Sequence, residues 1–144
     1  MALETIFQFL LAVFLGALIG LEREIKKKEA GLQTYSLVAL GSCLLSAIAF
    51  SLGEAGIISD PSPIFLAIGL GVGFIGAGTI FHRENKTEGL TTAAGLWVTA
   101  IIGLAVGTQF YFLAIFITFL VLLIFVGLGM VEEKIFKQKS DQIK

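Results

Sequence analysis

The chain has one cysteine, one histidine and two prolines among 144 residues, and only 15% of its residues are charged. A lone cysteine forms no intrachain disulfide, and Cys43 lies within an apolar run, where it reads as a small buried hydrophobe. A lone histidine falls short of a metal site, which needs further N, S or O ligands close by. Glu84 and Glu88 are the acids nearest His82, and a solvated interfacial turn accounts for all three equally well. With a net charge of −1, no basic surface is concentrated enough to track the phosphates of a nucleic acid. Neither a nucleophile–base pair nor a Walker motif is present, which argues against a catalytic enzyme. No catalytic residue, metal site or cofactor is therefore expected. Acids are missing as well: across 35–81 and 90–131 the only ones are Glu54 and Asp60.

What is there is apolar. Hydrophobic residues make up 56% of the chain and mean hydropathy is +0.94, outside the range of soluble domains. The runs are long enough to cross roughly 30 Å of hydrocarbon. They predict an all-α integral membrane bundle of five transmembrane helices, over about 5–22, 34–52, 63–81, 90–107 and 109–131. A short polar tail, 132–144, follows this 1–131 domain. The first run is not a signal peptide, since Glu4 and no Lys or Arg precedes it.

Orientation follows from the basic residues. All ten fall in the loop after span one, the loop after span three and the tail, on one side of a five-span arrangement. The positive-inside rule makes that side cytoplasmic, with the N-terminus outside and the C-terminus in the cytosol.

The sequence is organised around Gly69–Gly107, two small-residue-rich runs separated by a charged turn. Lipid tails are as apolar as Leu, so helices in a bilayer associate through close backbone packing, which small residues permit. Gly16 and Gly20 form one such pair. Gly69, Gly73 and Ala77 fall on one helical face, with Gly76 nearby, and are expected to form the packed centre. A Leu at Gly73 is then expected to force helices apart. Gly71-x-Gly73-x-x-Gly76 matches the dinucleotide-binding fingerprint by letter, but that fingerprint has meaning only between a strand and a helix of a βαβ unit. Inside an apolar span it reads as helix packing.

An internal repeat underlies the arrangement. Phe14-x-Gly16-Ala17 and Arg23-Glu24-x-Lys26 recur sixty positions later as Phe74-x-Gly76-Ala77 and Arg83-Glu84-x-Lys86. After a two-residue slip, Gly31-Leu32-x-Thr34 recurs as Gly89-Leu90-x-Thr92. The spans thus divide into two parallel helical-hairpin repeats plus a fifth helix. At the cytoplasmic rim the repeats gather Glu22, Arg23, Glu24, Gln33, Arg83 and Glu84, while Thr34, Thr91 and Thr92 occupy expected N-cap positions. Two readings stand. One is capping, snorkelling and interfacial ion pairs; the other is a polar pocket for an ion, a phosphate group or a partner's side chain.

GALIGLERE (Gly16–Glu24), GLQTYSLVALGS (Gly31–Ser42) and GVGFIGAGTI with GLTTAAGLWVTAIIGLAVG (Gly71–Gly107) resemble the MgtC/SapB family of bacterial membrane proteins. The resemblance implies a five-span plasma-membrane domain and an association with Mg²⁺ homeostasis and stress adaptation. It implies a modulator of other membrane proteins more than a transporter. By resemblance, Glu22, Arg23, Thr34, Asn85, Gly89, Thr91, Thr92 and Trp97 lie in the characteristic segments. Gln33 departs from the family's usual Arg, which removes a positive charge from the rim. Many members also carry a soluble C-terminal domain, so functions that depend on it are not assumed. Two function classes follow: a regulatory module that binds another membrane protein, and a transporter or channel for Mg²⁺ or another small ion. Mg²⁺ is usually held through carboxylates, so transport would require Glu22 or backbone carbonyls. The expected partners are the lipid bilayer, another membrane protein, a second copy of the chain as a homodimer, and Mg²⁺, but no nucleic acid.

Overall fold

The computed structural model describes residues 2–83 and 86–131. Five helices account for most of it: α1 (Ala2–Ile25), α2 (Leu32–Glu54), α3 (Ser62–Ala77), α4 (Leu90–Gly107) and α5 (Tyr111–Leu123). α5 runs on through a π-helical turn, Ile124–Leu128, so that the continuous helix spans Tyr111–Val131. Four of these helices are long and apolar enough to cross a membrane, and α3, with 16 residues, is the short one. The protein is an all-α membrane bundle, with the expected tail, 132–144, outside the described residues.

Several boundaries differ from the sequence expectation, two of them where they bear on the rim. α1 extends to Ile25, three residues beyond the expected end, so that Arg23 and Glu24 lie in its last turn rather than in a loop. α3 stops at Ala77, short of Phe81, although the apolar run continues. Gly76 and Gly78 lower helix propensity there, and the Thr79 hydroxyl bonds the Gly76 carbonyl at 2.8 Å. The chain then forms a small antiparallel hairpin, β1 (Phe81–Arg83) with β2 (Lys86–Glu88), in which Phe81 faces Glu88 and His82 faces Thr87. Gly89, at φ 86°, makes the turn into α4. A Cβ there would meet the Thr79 carbonyl oxygen at 1.8 Å, so both the conformation and the space call for glycine.

The packed centre is where α1 and α4 both close on α2. Gly16 and Gly20 let α1 close on α2: a Cβ at Gly16 would lie 2.7 Å from Tyr35 O, and one at Gly20 2.8 Å from Leu32 Cα. On α4, a Cβ at Gly103 would lie 2.2 Å from Ala39 O, and one at Gly107 2.4 Å from Cys43 O. Cys43 is fully buried in this seam. Hydroxyls in the bundle bond carbonyls on their own helix, as Thr99 does with Gly95 O (2.8 Å) and Thr118 with Ala114 O (2.8 Å). Such groups would be costly in hydrocarbon without a partner.

The expectation that Gly69, Gly73 and Ala77 form the packed centre is not met within the chain. A Cβ added at Gly69, Gly71 or Gly73 meets nothing within 4 Å, and Ala77 is exposed. α3 buries a different edge, through Ile68, Val72 and Gly76. Gly76 faces Ala93, at 3.4 Å from a built Cβ. A bulky residue at Gly73 would therefore not force apart any helices of this chain. The fingerprint-like glycines 71, 73 and 76 all lie inside helix α3.

The repeat is visible in the packing. Gly16 meets Tyr35 across the first hairpin, and sixty positions later Gly76 meets Ala93 across the second. Tyr35 and Ala93 are equivalent once the two-residue slip is applied. Contacts between α2 and α4 advance in the same direction along both, from Tyr35–Gly95 to Ala39–Gly103 to Cys43–Gly107. The two hairpins therefore run parallel.

Candidate functional site

The last turns of α1 carry the core of the polar rim. The Arg23 guanidinium donates from Nε to Glu22 Oε2, and Lys26 Nζ lies 3.5 Å from Glu22 Oε1. Arg23 is 3% exposed, an unusual burial for a guanidinium, which is tolerated only with partners. Its second partner is the Phe125 ring, whose centroid is 3.8 Å from Cζ, within cation–π range. Cations near the C-terminus of α1 also meet the negative end of its dipole.

Phe125 sits in the π-helical turn of α5, where the backbone departs from the regular α ladder. Lys26 Nζ donates to its carbonyl at 3.3 Å. Gly95 makes room opposite, since a Cβ there would lie 2.6 Å from Tyr35 Oη and 2.7 Å from Phe125 Cζ. The end of α1 is thus fastened to α5 by two cations on one aromatic residue.

A second chain of bonds ties the α1–α2 loop to α4. The Thr92 hydroxyl donates to Glu29 Oε2 at 2.6 Å, and Tyr35 Oη donates to the Thr92 carbonyl at 3.3 Å. The Thr92 bond, ahead of nearby positive charge, holds the Glu29 carboxyl below its ordinary pKa. Glu24 Oε2 accepts from Leu32 N at 3.1 Å, placing a carboxylate at the positive end of α2.

The N-caps differ from the sequence expectation. Gly31 and Gly89 occupy them, without a side-chain cap bond. Thr34 and Thr92 lie three residues into α2 and α4, and Thr91 lies two into α4. Thr92 is buried, Thr34 half-buried, and Gln33 and Thr91 are exposed. Arg83 ends β1, paired with Lys86, while Glu84 and Asn85 lie outside the described residues.

The structure therefore assembles Glu22, Arg23, Glu24 and Thr92 with four residues that the sequence did not place in the rim cluster: Lys26, Glu29, Tyr35 and Phe125. Lys26 was legible, four residues after Glu22 on a helix. Nothing local marks Glu29 or Phe125, whose partners are distant in the chain. Chemically, the rim holds charge at the end of the bundle and keeps one buried acceptor, Glu22 Oε1, without a hydrogen bond. Among the described residues, no three His, Cys, Asp or Glu come together as a metal cluster.

Comparison with known proteins extends this picture. The model of the MgtC family matches residues 9–134. A Haemophilus influenzae protein is 39% identical over 122 residues, covering 80% of this chain and 51% of its own length. YhiD of Escherichia coli K12, whose name marks it as a candidate magnesium transporter, is 42% identical over 130 residues, covering 86% of this chain and 60% of its own length. SapB of Bacillus subtilis is 41% identical over 107 residues, covering 70% of this chain and 46% of its own length. The chain thus spans about half the length of these curated relatives. No solved structure matches.

Proposed function

Because this chain belongs to the MgtC family, we propose that it is a regulatory module of the bacterial plasma membrane, tied to Mg²⁺ homeostasis and stress adaptation. It acts by binding another membrane protein, with its N-terminus outside and its C-terminus in the cytosol. The observation that carries this reading is the open small-residue face of α3. At Gly69 and Gly73, four residues apart on one helical face, no described part of the chain lies within 4 Å of where a Cβ would stand. In a bilayer, such a face allows a second helix to approach closely. The rim supports the same reading, because its charged groups hold the protein's own helices together.

A second reading, a transporter or channel for Mg²⁺ or another small ion, draws on the name of YhiD and on the buried Glu22 Oε1. Two measurements separate them. In a strain whose growth in low Mg²⁺ depends on this chain, Gly73→Leu protein should accumulate normally yet fail to restore growth. In proteoliposomes, the wild-type protein should carry no more Mg²⁺ than empty vesicles do. Mg²⁺ flux that is present in wild type and lost in Glu22→Gln would replace the regulatory reading with the transporter.

A further inference from the structure

Among the described residues, the buried Ser and Thr hydroxyls find partners with one exception. Ser46, Thr92, Thr99 and Thr118 each donate to a carbonyl or carboxylate oxygen at 2.6–2.8 Å. Ser42 is 4% exposed and its hydroxyl has no partner among the described residues, although its carbonyl accepts from Ser46 Oγ at 2.7 Å. α2 runs from Leu32 to Glu54, so Ser42 lies near its middle and near the bilayer midplane. No water reaches that depth, and a hydroxyl left without a partner there is costly.

The Ser42 side chain lines a groove of about 420 Å³ between α2 and α3. Gly41 and Gly71 open it, since a Cβ at either would meet nothing within 4 Å. Both glycines are exposed, so the groove opens sideways into the lipid. Gly71 lies on the opposite side of α3 from Gly69 and Gly73, which separates this groove from the open face discussed above.

Its dimensions select the occupant. From Thr34 to Leu45 the groove follows α2 for about 16 Å. Spread over that length, the volume gives a mean cross-section of about 26 Å². A helix about 10 Å across needs roughly 80 Å². A hydrocarbon chain, whose carbons keep about 4 Å from their neighbours, needs about 20 Å². The groove thus suits a slender chain or the edge of a flat ring, and not a partner's helix.

Chemistry narrows it further. Among the described residues, no charged side chain lines the groove, so a charged ligand would be unpaired in hydrocarbon. A carbonyl oxygen takes the Ser42 proton and brings no further donor to satisfy. The ester carbonyls of a phospholipid stand at headgroup level, about 15 Å from the midplane, too far out to reach Ser42. We infer that the α2–α3 groove binds a lipid quinone, a neutral carbonyl-bearing ring on a hydrocarbon tail, with Ser42 donating to a ring carbonyl. This inference does not depend on the function proposed for the rim and for the open face of α3.

The probe is decylbenzoquinone, titrated into the purified chain in detergent micelles, with decylbenzene as the counterpart that lacks carbonyls. Bound ligand is read by native mass spectrometry. The quinone should bind saturably. Ser42→Ala should weaken it about fivefold, as for loss of one hydrogen bond, and leave decylbenzene unchanged. Ser36→Ala, which changes a hydroxyl outside the lining, should alter neither. Gly71→Leu fills open space and should abolish quinone binding by a folded protein; if it does not fold, Gly41→Leu makes the same test. No saturable quinone binding overturns the proposal, as does a folded Ser42→Ala protein that binds the quinone as wild type does. A retained phospholipid that the quinone does not displace, or a dimer that Gly71→Leu abolishes, gives the groove to another occupant and also overturns it.

Discussion

Arg23 holds a charge where little water reaches it, and three groups keep it there: the Glu22 carboxylate, the face of Phe125 and the end of the α1 dipole. Removing one member of a buried ion pair is far more costly than the pair's net contribution, because the other charge is left uncompensated. Arg23→Gln should therefore lower unfolding stability by about 3 kcal/mol, read as a drop in the thermal midpoint in detergent micelles. Lys26→Gln, at a side chain with 28% of its surface exposed, should lower it by about 1 kcal/mol or less. Equal losses would show that Arg23 is not the residue fastening α1 to α5. Glu22, Arg23 and Glu24 were legible as rim residues from their place at the end of an apolar run. Their bonds were not, because Phe125 lies about a hundred residues away and joins them only when α5 packs.

At the scale of the helix, two stripes of small residues compete for the same description. α3 carries Gly69, Gly73 and Ala77 at four-residue spacing, and α4 carries Gly95, Thr99, Gly103 and Gly107 at the same spacing. Helical periodicity rates them alike. Among the described residues, only the α4 stripe is filled from within the chain, by Tyr35, Ala39 and Cys43 of α2. A methyl group at Gly103 would run into the Ala39 carbonyl, which as backbone of a packed helix has little room to move. Gly103→Ala should then be destabilising by about 2 kcal/mol or more. Gly69→Ala adds a better helix former in open space and should be neutral or stabilising by up to about 1 kcal/mol. Thermal midpoints of the two variants, measured side by side, check the assignment. A reversed order would place the packed centre on α3 after all.

For the molecule as a whole, the parallel hairpins and the segregation of charge set one end against the other. The rim end collects Arg23, Lys26, Lys27 and Lys28, and the opposite end carries Glu4, Glu54 and Asp60. The positive-inside rule predicts that the rim faces the cytosol. In a Cys43→Ala background, a membrane-impermeant maleimide should label Ser59→Cys in intact cells. It should reach Lys27→Cys only after permeabilisation. The opposite pattern would invert the molecule and place the acidic end inside.

The sequence by itself determined the helical membrane architecture, because each apolar run is long enough to span and its backbone polar groups must be satisfied internally. It also determined the duplication, which Arg-Glu-x-Lys records at an offset of sixty residues and Gly-Leu-x-Thr after a two-residue slip. The closeness of α1 to α2 was written in Gly16 and Gly20. Only the tertiary structure decided which other stripe of small residues lies inside. It alone brought Phe125 over Arg23 and Glu29 to Thr92. The physical reason is the same in each case. Length, hydropathy and spacing are properties of a segment, whereas a contact between distant segments depends on how all the helices share one volume.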